Sequence, residues 1–249
     1  MIRAENLSVT YGKKEVVREL SLTVADGELV ALIGPNGSGK SSFLKALARI
    51  LPYEGKIFLD GKDIHAMHRR DYAKRLAMVG QFNEMAFDMT VMDMVLMGRT
   101  PYKSLLERDT KEDRAMAMEA LASVGMESYA PRSLRELSGG EKQRAVLARA
   151  LVQKTDHLLL DEATNHLDIY YQLKLLSTVK DTRLTVVAAL HDMNLALAYG
   201  DRIVALKEGR ILFDAAPENV TPAMIEALYD TPCTIHRADG RPVAVFKKP

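Results

Sequence analysis

The sequence has few of the features that mark secreted or membrane proteins. Cys233 is the single cysteine among 249 residues, so no internal disulfide can form. The uninterrupted apolar runs, such as those at 158–160 and 186–190, are far shorter than the ~18 to 20 residues of a membrane helix. Residues 1–6 enter an alternating strand pattern without the charged and then apolar region of a signal sequence. We therefore expect a globular protein of the cytosol in which no segment spans a bilayer.

The chain also lacks an excess of charge of either sign. Its 34 Lys and Arg residues and 33 Asp and Glu residues leave a formal net charge of +1, with no long basic block. A nucleic-acid groove therefore has no electrostatic basis, and we expect no nucleic-acid partner. Apolar residues make up 47% of the chain, which is ample for the core of one large α/β domain or two smaller ones.

One glycine-rich segment, Gly34-Pro-Asn-Gly-Ser-Gly-Lys40-Ser41, fits the phosphate-binding pattern G-x-x-x-x-G-K-[ST] at every fixed position. It lies between an apolar run at 28–33 and a segment, 42–50, in which Phe43, Leu44, Leu47 and Ile50 have helical spacing. This is the context that the motif requires. Its glycines let backbone amides approach phosphate oxygens, and Lys40 and Ser41 would contact the phosphates and Mg²⁺. The alternative is a glycine-rich turn without a ligand. The predicted nucleotide-binding residues are Gly34, Pro35, Asn36, Gly37, Ser38, Gly39, Lys40, Ser41 and Ser42.

Most of the chain alternates strand and helix patterns. Residues 1–30 and 55–60 predict antiparallel strands and 76–79 a buried strand, whereas residues 82–136 have helical spacing, as in Met118, Leu121 and Ala122. Beyond them, strands are predicted at 157–160, 184–190 and 203–206, helices at 140–152, after Leu167, after Asp192 and at 221–229, and weak strands near Thr234 and Val243. This order predicts a parallel sheet covered by helices, with a helical insertion.

Two adjacent carboxylates, Asp161 and Glu162, end the apolar run 157–160. Side chains alternate along a strand, but at its carboxyl tip both can reach the crevice where α/β sheets bind ligands. Asp161 then suits Mg²⁺, and Glu162 suits the polarisation of an attacking water. The alternative is a surface acidic pair, which becomes improbable beside the phosphate loop.

The segment Leu137-Ser138-Gly139-Gly140-Glu141 resembles the signature motif of ATP-binding cassette (ABC) ATPases, and the resemblance extends from the first strand to about Leu206. It implies an α/β fold with a P-loop NTPase (RecA-like) core, an antiparallel β subdomain and an α-helical insertion. The single ABC ATPase domain would span 1–249, with the core and C-terminal tail at 1–81 and 137–249 and the helical subdomain at 82–136.

The resemblance also implies roles for isolated residues. Tyr11 would stack on adenine, Gln81 would sense Mg²⁺ and the attacking water, Asp168 would belong to the loop after the acidic pair, and His191 would contact the γ-phosphate. Each of these assignments is weak by itself. Tyr11 could equally be an ordinary aromatic residue at a strand end, Gln81 a polar surface residue and His191 a residue at a helix N-terminus. Their joint order favours the functional interpretation.

Ser138, Gly139 and Gly140 form a second glycine-rich helix start, and therefore a second anion-binding half-site. In the family the two half-sites face different nucleotides, so Ser138 and Gly140 of one chain would close over the ATP on Lys40 of another. A head-to-tail homodimer is implied. Three positions depart from the family pattern, namely Glu141 for Gln, Ala163 for Pro and Asp156 for a frequent Pro, and none removes a phosphate, metal or base ligand.

Residues 95–102 and 190–196 resemble cassettes that import iron-siderophore complexes, haem and cobalamin. This implies an ATPase with ATP and Mg²⁺ as ligands, on the inner face of the cell membrane beside a separate permease, with a substrate-binding protein as an indirect partner. Importers of another cargo, a soluble ABC ATPase acting on ribosomes or DNA, and a non-ABC P-loop enzyme such as a kinase are the alternatives.

Five methionines lie between Gln81 and Arg99, at 85, 89, 92, 94 and 97. Unbranched thioether chains suit an apolar groove for a partner helix, here a cytoplasmic helix of the permease. The alternative is that most of them pack the core of the insertion. His65 and His68 have a spacing of three, but without a nearby ligand partner we interpret them as solvated.

Overall fold

The computed structural model describes residues 1–80, 88–104, 106–165 and 167–247. Within these ranges, no helix is both long and apolar enough to cross a membrane. The strands are β1 (Ile2–Tyr11), β2 (Lys14–Val24), β3 (Leu29–Ile33), β4 (Glu54–Leu59), β5 (Lys62–Asp63), β6 (Leu76–Val79), β7 (His157–Asp161), β8 (Thr185–Ala189), β9 (Arg202–Lys207), β10 (Arg210–Ala215), β11 (Cys233–Ala238) and β12 (Arg241–Phe246). The α-helices are α1 (Lys40–Leu47), α2 (Arg69–Ala73), α3 (Val91–Leu96), α4 (Lys111–Ser123), α5 (Gly139–Leu151), α6 (Ile169–Asp181), α7 (Met193–Tyr199) and α8 (Pro222–Tyr229). Short 3₁₀ helices lie at Ile64–Ala66, Met97–Tyr102, Glu127–Tyr129, Leu134–Glu136 and Pro217–Asn219.

The chain forms two compact units. The first contains Met1–Ala66, Leu159–Glu162 and Arg183–Pro249, and the second contains Met67–Leu158 and Ala163–Thr182. The sequence assigns β6 and α5 to the predicted core, whereas in the structure both belong to the second unit, together with residues of the predicted helical subdomain. The predicted subdomain limits themselves stay a prediction.

The first unit holds two large sheets. One is antiparallel, with the strand order β2-β1-β4-β5. The other runs β10-β9-β3-β8-β7, with β3 parallel to both β8 and β9. All residues of β3 and β8 are buried, because a parallel sheet covered on both faces needs nearly continuous apolar strands.

The carboxyl ends of three strands in this sheet are joined by backbone hydrogen bonds. The Leu190 amide donates to the Leu32 carbonyl over 3.0 Å, and the Glu162 amide donates to the Ala189 carbonyl over 3.3 Å. The segments that leave β3, β7 and β8 therefore start side by side, which is where ligands of open α/β sheets bind.

The second unit is mainly helical in its described part. Helices α3 and α4 begin with capping boxes, Thr90 with Asp93 and Thr110 with Asp113. Of the three residues whose spacing predicts helix α4, Leu121 is buried, whereas Met118 and Ala122 are exposed. The buried face of α4 consists of Asp113, Ala117, Ala120 and Leu121.

A buried ion pair explains this difference. The Asp113 carboxylate accepts hydrogen bonds from Arg99 Nε at 3.0 Å and Thr110, and forms an ion pair with Lys103 at 3.1 Å. Burial alone would raise the pKa of Asp113, but these donors hold it well below the ordinary value. A carboxylate so paired can face the interior, which apolar spacing alone does not predict.

The other predicted strands and helices are present in the described chain, with two further differences. Ile50, predicted to continue the apolar face of α1, is 62% exposed because the helix ends at Leu47. Strand β10 was missed. Its sequence lacks a clear alternation of apolar and polar residues, and Phe213 is its one buried residue. The strand is defined instead by antiparallel pairing with β9.

Candidate active site

The glycine-rich loop leaves β3 and is shaped by close backbone approaches. Gly34 has a φ of 147°, and a Cβ built on it would lie 2.1 Å from the Leu206 carbonyl oxygen. Gly39 has a φ of 105°, and a Cβ built on it would lie 2.6 Å from the Val16 carbonyl oxygen. Only glycine fits these positions. Gly39 is also the N-cap of α1, so the unpaired amides of the first helical turn lie at the end of the loop.

Lys40 lies across this loop. Its ammonium donates to the carbonyl oxygens of Gly34 at 2.8 Å and Pro35 at 3.2 Å, and the residue is 4% exposed. Burial lowers the pKa of Lys40, while the carboxylates of Glu162 and Asp161 act in the opposite direction. The loop therefore carries a cation held by its own backbone and next to both acidic side chains.

Ser41 and Asp161 form a hydrogen-bonded pair. The Ser41 hydroxyl donates to Asp161 Oδ1 over 2.7 Å, although 120 residues separate the two in sequence. Burial raises the pKa of Asp161, and the Ser41 hydrogen bond opposes this. A hydroxyl beside a carboxylate supplies the oxygen ligands that Mg²⁺ prefers, so the donor set fits that ion.

Glu162 and His191 form a second pair, with 2.7 Å between Glu162 Oε1 and His191 Nε2. Glu162 has a φ of 56°, in the left-handed region that non-glycine residues seldom adopt. This turn directly after β7 breaks the alternation of the strand, so Asp161 and Glu162 both lie near Lys40 rather than on opposite faces. Such backbone strain is typical of functional sites.

A cleft of about 190 Å³ in the first unit is lined by the phosphate loop and by Glu162. Its lining residues are Lys14, Val16, Asn36, Gly37, Ser38, Gly39, Lys40, Ser41, Ser42 and Glu162. The sequence carries no local signal for Lys14 and Val16, which precede the motif by more than 15 residues and were not predicted to lie in the site. Tyr11, half exposed at the end of β1, pairs in register with Lys14.

The predicted signature segment begins α5 in the second unit. Ser138 is the N-cap, and its hydroxyl accepts from the Glu141 amide at 3.3 Å. The Glu141 carboxylate accepts in return from the Ser138 amide at 2.8 Å, and this hydrogen bond lowers the pKa of Glu141. The departure from Gln thus keeps a capping box, for which either residue is suited. Ser138 and Gly139 are exposed.

Other predicted residues have separate positions. Asp168, also in the second unit, caps α6 by accepting from the Tyr171 amide at 3.0 Å. Gln81 lies outside the described residues. His65 and His68 are both exposed, and the His65 ring packs on Tyr53 with 5.1 Å between centroids. The roles predicted for Gln81, Ser138 and Asp168 stay predictions.

Comparisons with known proteins identify the family. The sequence profile described as ABC transporter matches residues 17–165. The chain is 42% identical to the petrobactin import ATP-binding protein FpuC of Bacillus anthracis, over 88% of this chain and 83% of that protein. It is 38% identical to the ferric enterobactin transport ATP-binding protein FepC of Escherichia coli, over 94% of this chain and 89% of that one.

Solved structures agree with this result. A metal-chelate type ABC transporter in an inward-facing conformation aligns with a TM-score of 0.84 and 27% identity, over 99% of this chain and 96% of that chain. A dimeric ATP-binding cassette with ADP and phosphate aligns with a TM-score of 0.78 and 28% identity, over 88% and 100%. The predicted P-loop NTPase fold is confirmed. The chain therefore belongs to the ABC transporter family and is one of its ATP-hydrolysing cassettes.

Proposed function

We propose that the chain hydrolyses ATP to drive the import of an iron chelate through a separate membrane permease. The observation that carries the ATPase part is the cleft lined by the phosphate-binding loop, Ser41 and Glu162, with Ser41 hydrogen-bonded to Asp161 and Glu162 paired with His191. The cargo part is supported by relatives named for petrobactin and ferric enterobactin import.

Each residue of the site would have its own role in ATP hydrolysis. The loop amides and Lys40 would balance the charge of the β- and γ-phosphates as it develops in the transition state. Ser41 and Asp161 would hold Mg²⁺, which neutralises phosphate charge when bound, with Gln81 as a predicted further ligand. Glu162 would orient and polarise the attacking water, and His191, 2.7 Å from that carboxylate, would position it and contact the γ-phosphate.

The signature segment would act on a second copy of the chain. Ser138 and Gly139 are exposed at the start of α5. The Ser138 amide donates to Glu141, so an anion from outside the unit would be bound by the Ser138 hydroxyl and by the amides of Gly139 and Gly140 in the first helical turn. We propose a head-to-tail homodimer in which Ser138, Gly139 and Gly140 close over the partner's ATP, with Tyr11 on adenine and Asp168 near the interface. The assembly would lie on the inner face of the cell membrane, against the permease.

Uptake by the chain with its cognate permease tests the cargo. We expect ATP-dependent accumulation of a ferric siderophore, and no accumulation when Lys40→Ala replaces the wild-type chain. Haem and cobalamin serve as competing cargoes in the same vesicles. Uptake of either one in place of every ferric siderophore would contradict the iron-chelate proposal and leave the ATPase proposal intact.

A groove in the second unit is the proposed permease site. It has a volume of about 700 Å³ and is lined by Arg69, Arg70, Ala73, Asp93, Leu96, Met97, Thr100, Pro101, Lys103, Ser104, Glu107 and Asp109. Met97 is 47% exposed there, whereas Met94 is fully buried and Met89 and Met92 are half-buried. Met85 lies outside the described residues. Among the described methionines of this group, Met97 is therefore the one best placed to contact the permease.

Met97→Asp should abolish uptake while the isolated subunit keeps its ATPase rate, because a carboxylate then replaces an exposed apolar side chain of the groove, remote in sequence from the phosphate loop. Met118→Asp is the matched control, since Met118 is also exposed but lies on α4 and does not line the groove. A cysteine at Met97 should crosslink to the permease in a Cys233→Ser background. Normal uptake by Met97→Asp without any crosslink would contradict docking at this groove.

A further inference from the structure

The C-terminal tail of the first unit packs against the segment that carries His191. The tail consists of α8, β11 and β12, and β12 packs along α7, whose first residue is Met193. His191 and Asp192 connect β8 to this helix. The position of the His191 ring therefore depends on how α7 is held.

Asn194, in the first turn of α7, joins the helix to the tail by two reciprocal hydrogen bonds. Its side-chain nitrogen donates to the Ala244 carbonyl over 3.1 Å, and its side-chain oxygen accepts from the Ala244 amide over 2.8 Å. β12 pairs only with β11 in its two-stranded sheet among the described strands, so one of its edges lacks a strand partner. The side-chain amide of Asn194 provides a hydrogen-bond donor and an acceptor to the backbone of Ala244 on that edge, as a peptide group of a neighbouring strand would.

The same turn is tied to the His191 segment by its own cap. Asp192 Oδ1 accepts from the amides of Asn194 at 2.7 Å and Leu195 at 3.1 Å. At the other end of α7, Arg241 of β12 donates to the Ala198 carbonyl over 3.0 Å. The tail thus holds both ends of α7, and the N-terminal contact is three residues from His191.

Tyr229 gives the tail a second contact with the site. Its ring packs edge to face on Phe246, with 6.0 Å between centroids, and its hydroxyl oxygen is buried. Burial raises the pKa of Tyr229, with the Gly34 backbone and the Asp192 carboxylate as its polar neighbours. The end of α8 therefore lies near the start of the phosphate loop and near the cap beside His191.

We propose that the C-terminal tail positions His191 against Glu162 for ATP hydrolysis, with Asn194 as the main positioning residue and Tyr229 as its support. This rests on the proposed ATPase function. The physical reason is geometric, since a displacement of about 1 Å within a catalytic constellation can cost ~10²-fold in rate. Removing the Asn194 amide frees the first turn of α7 to shift the imidazole from its 2.7 Å contact.

Steady-state ATP hydrolysis by the full chain tests this, together with ATP-binding stoichiometry. We expect Asn194→Ala to lower kcat about tenfold, as supporting residues around catalytic ligands often do, while KM for ATP and the stoichiometry change less than about twofold. Asn194→Asp keeps the acceptor for the Ala244 amide and should lie between Asn194→Ala and wild type. Tyr229→Ala should likewise lower kcat while KM for ATP changes less than about twofold. His236→Ala, an exposed tail residue that meets Thr234, is the control and should match wild type.

The outcomes separate the two proposals. Wild-type kcat in Asn194→Ala and Tyr229→Ala would overturn the positioning role, and so would a loss of rate matched by an equal loss of ATP-binding stoichiometry. If Asn194→Ala does not fold, the Asn194→Asp and Tyr229→Ala values decide by the same criteria. A wild-type chain without ATPase activity would instead overturn the proposed function.

Discussion

Glu162→Gln is expected to bind ATP as the wild-type chain does and to lose turnover by ~10²-fold or more. In the wild-type chain, His191 Nε2 lies 2.7 Å from Glu162 Oε1. The glutamine side chain has the same size and keeps an oxygen for this contact, but it is a far weaker base than the carboxylate. Water attack should then stop while ATP still joins the two chains. Hydrolysis rate and ATP-dependent dimerisation, measured by size-exclusion chromatography, are the two readouts.

Glu141→Gln is the matched control for this substitution. It makes the same chemical change at the start of α5, where glutamine can accept the Ser138 hydrogen bond in the capping box. We expect it to retain turnover. A wild-type hydrolysis rate in purified Glu162→Gln would show that another group is the base.

Ser138→Arg should leave ATP binding largely intact and abolish hydrolysis. The substitution places bulk and positive charge at an exposed helix start that we propose to face the partner's nucleotide. It also removes the N-cap, which costs about 1 kcal/mol. Ser138→Ala removes the same cap without the bulk, so it separates loss of the composite site from loss of helix stability. Full activity of Ser138→Arg would contradict the proposed interface.

Mixing tests whether two chains share one site. Inactive Ser138→Arg and inactive Lys40→Ala chains can form a heterodimer that contains one intact pairing of phosphate loop and signature segment. We expect partial recovery of hydrolysis in the mixture if one such site turns over. Neither variant alone should recover, whatever its concentration.

The sequence by itself determined the local parts of this protein. The phosphate loop is a contiguous motif whose glycines are required by its own tight path, and Gly34 and Gly39 have the positive φ values that such a path demands. The buried strands β3 and β8 follow from short apolar runs, and α5 follows from helical spacing after Ser138. The capping box of Ser138 and Glu141 also follows from local spacing, since a serine followed three residues later by a glutamate is its sequence pattern.

Tertiary structure decided what depends on distant pairing. The Ser41 and Asp161 pair and the turn at Glu162 exist because the ends of β3, β7 and β8 meet, and no spacing within one segment predicts a φ of 56° at a glutamate. Strand β10 depends on its neighbour β9 because its own burial pattern is weak. The contact of Asn194 with Ala244 spans 50 residues. Local sequence specifies which backbone conformations are favourable, whereas packing specifies which side chains become neighbours, and the chemistry of this site needs both.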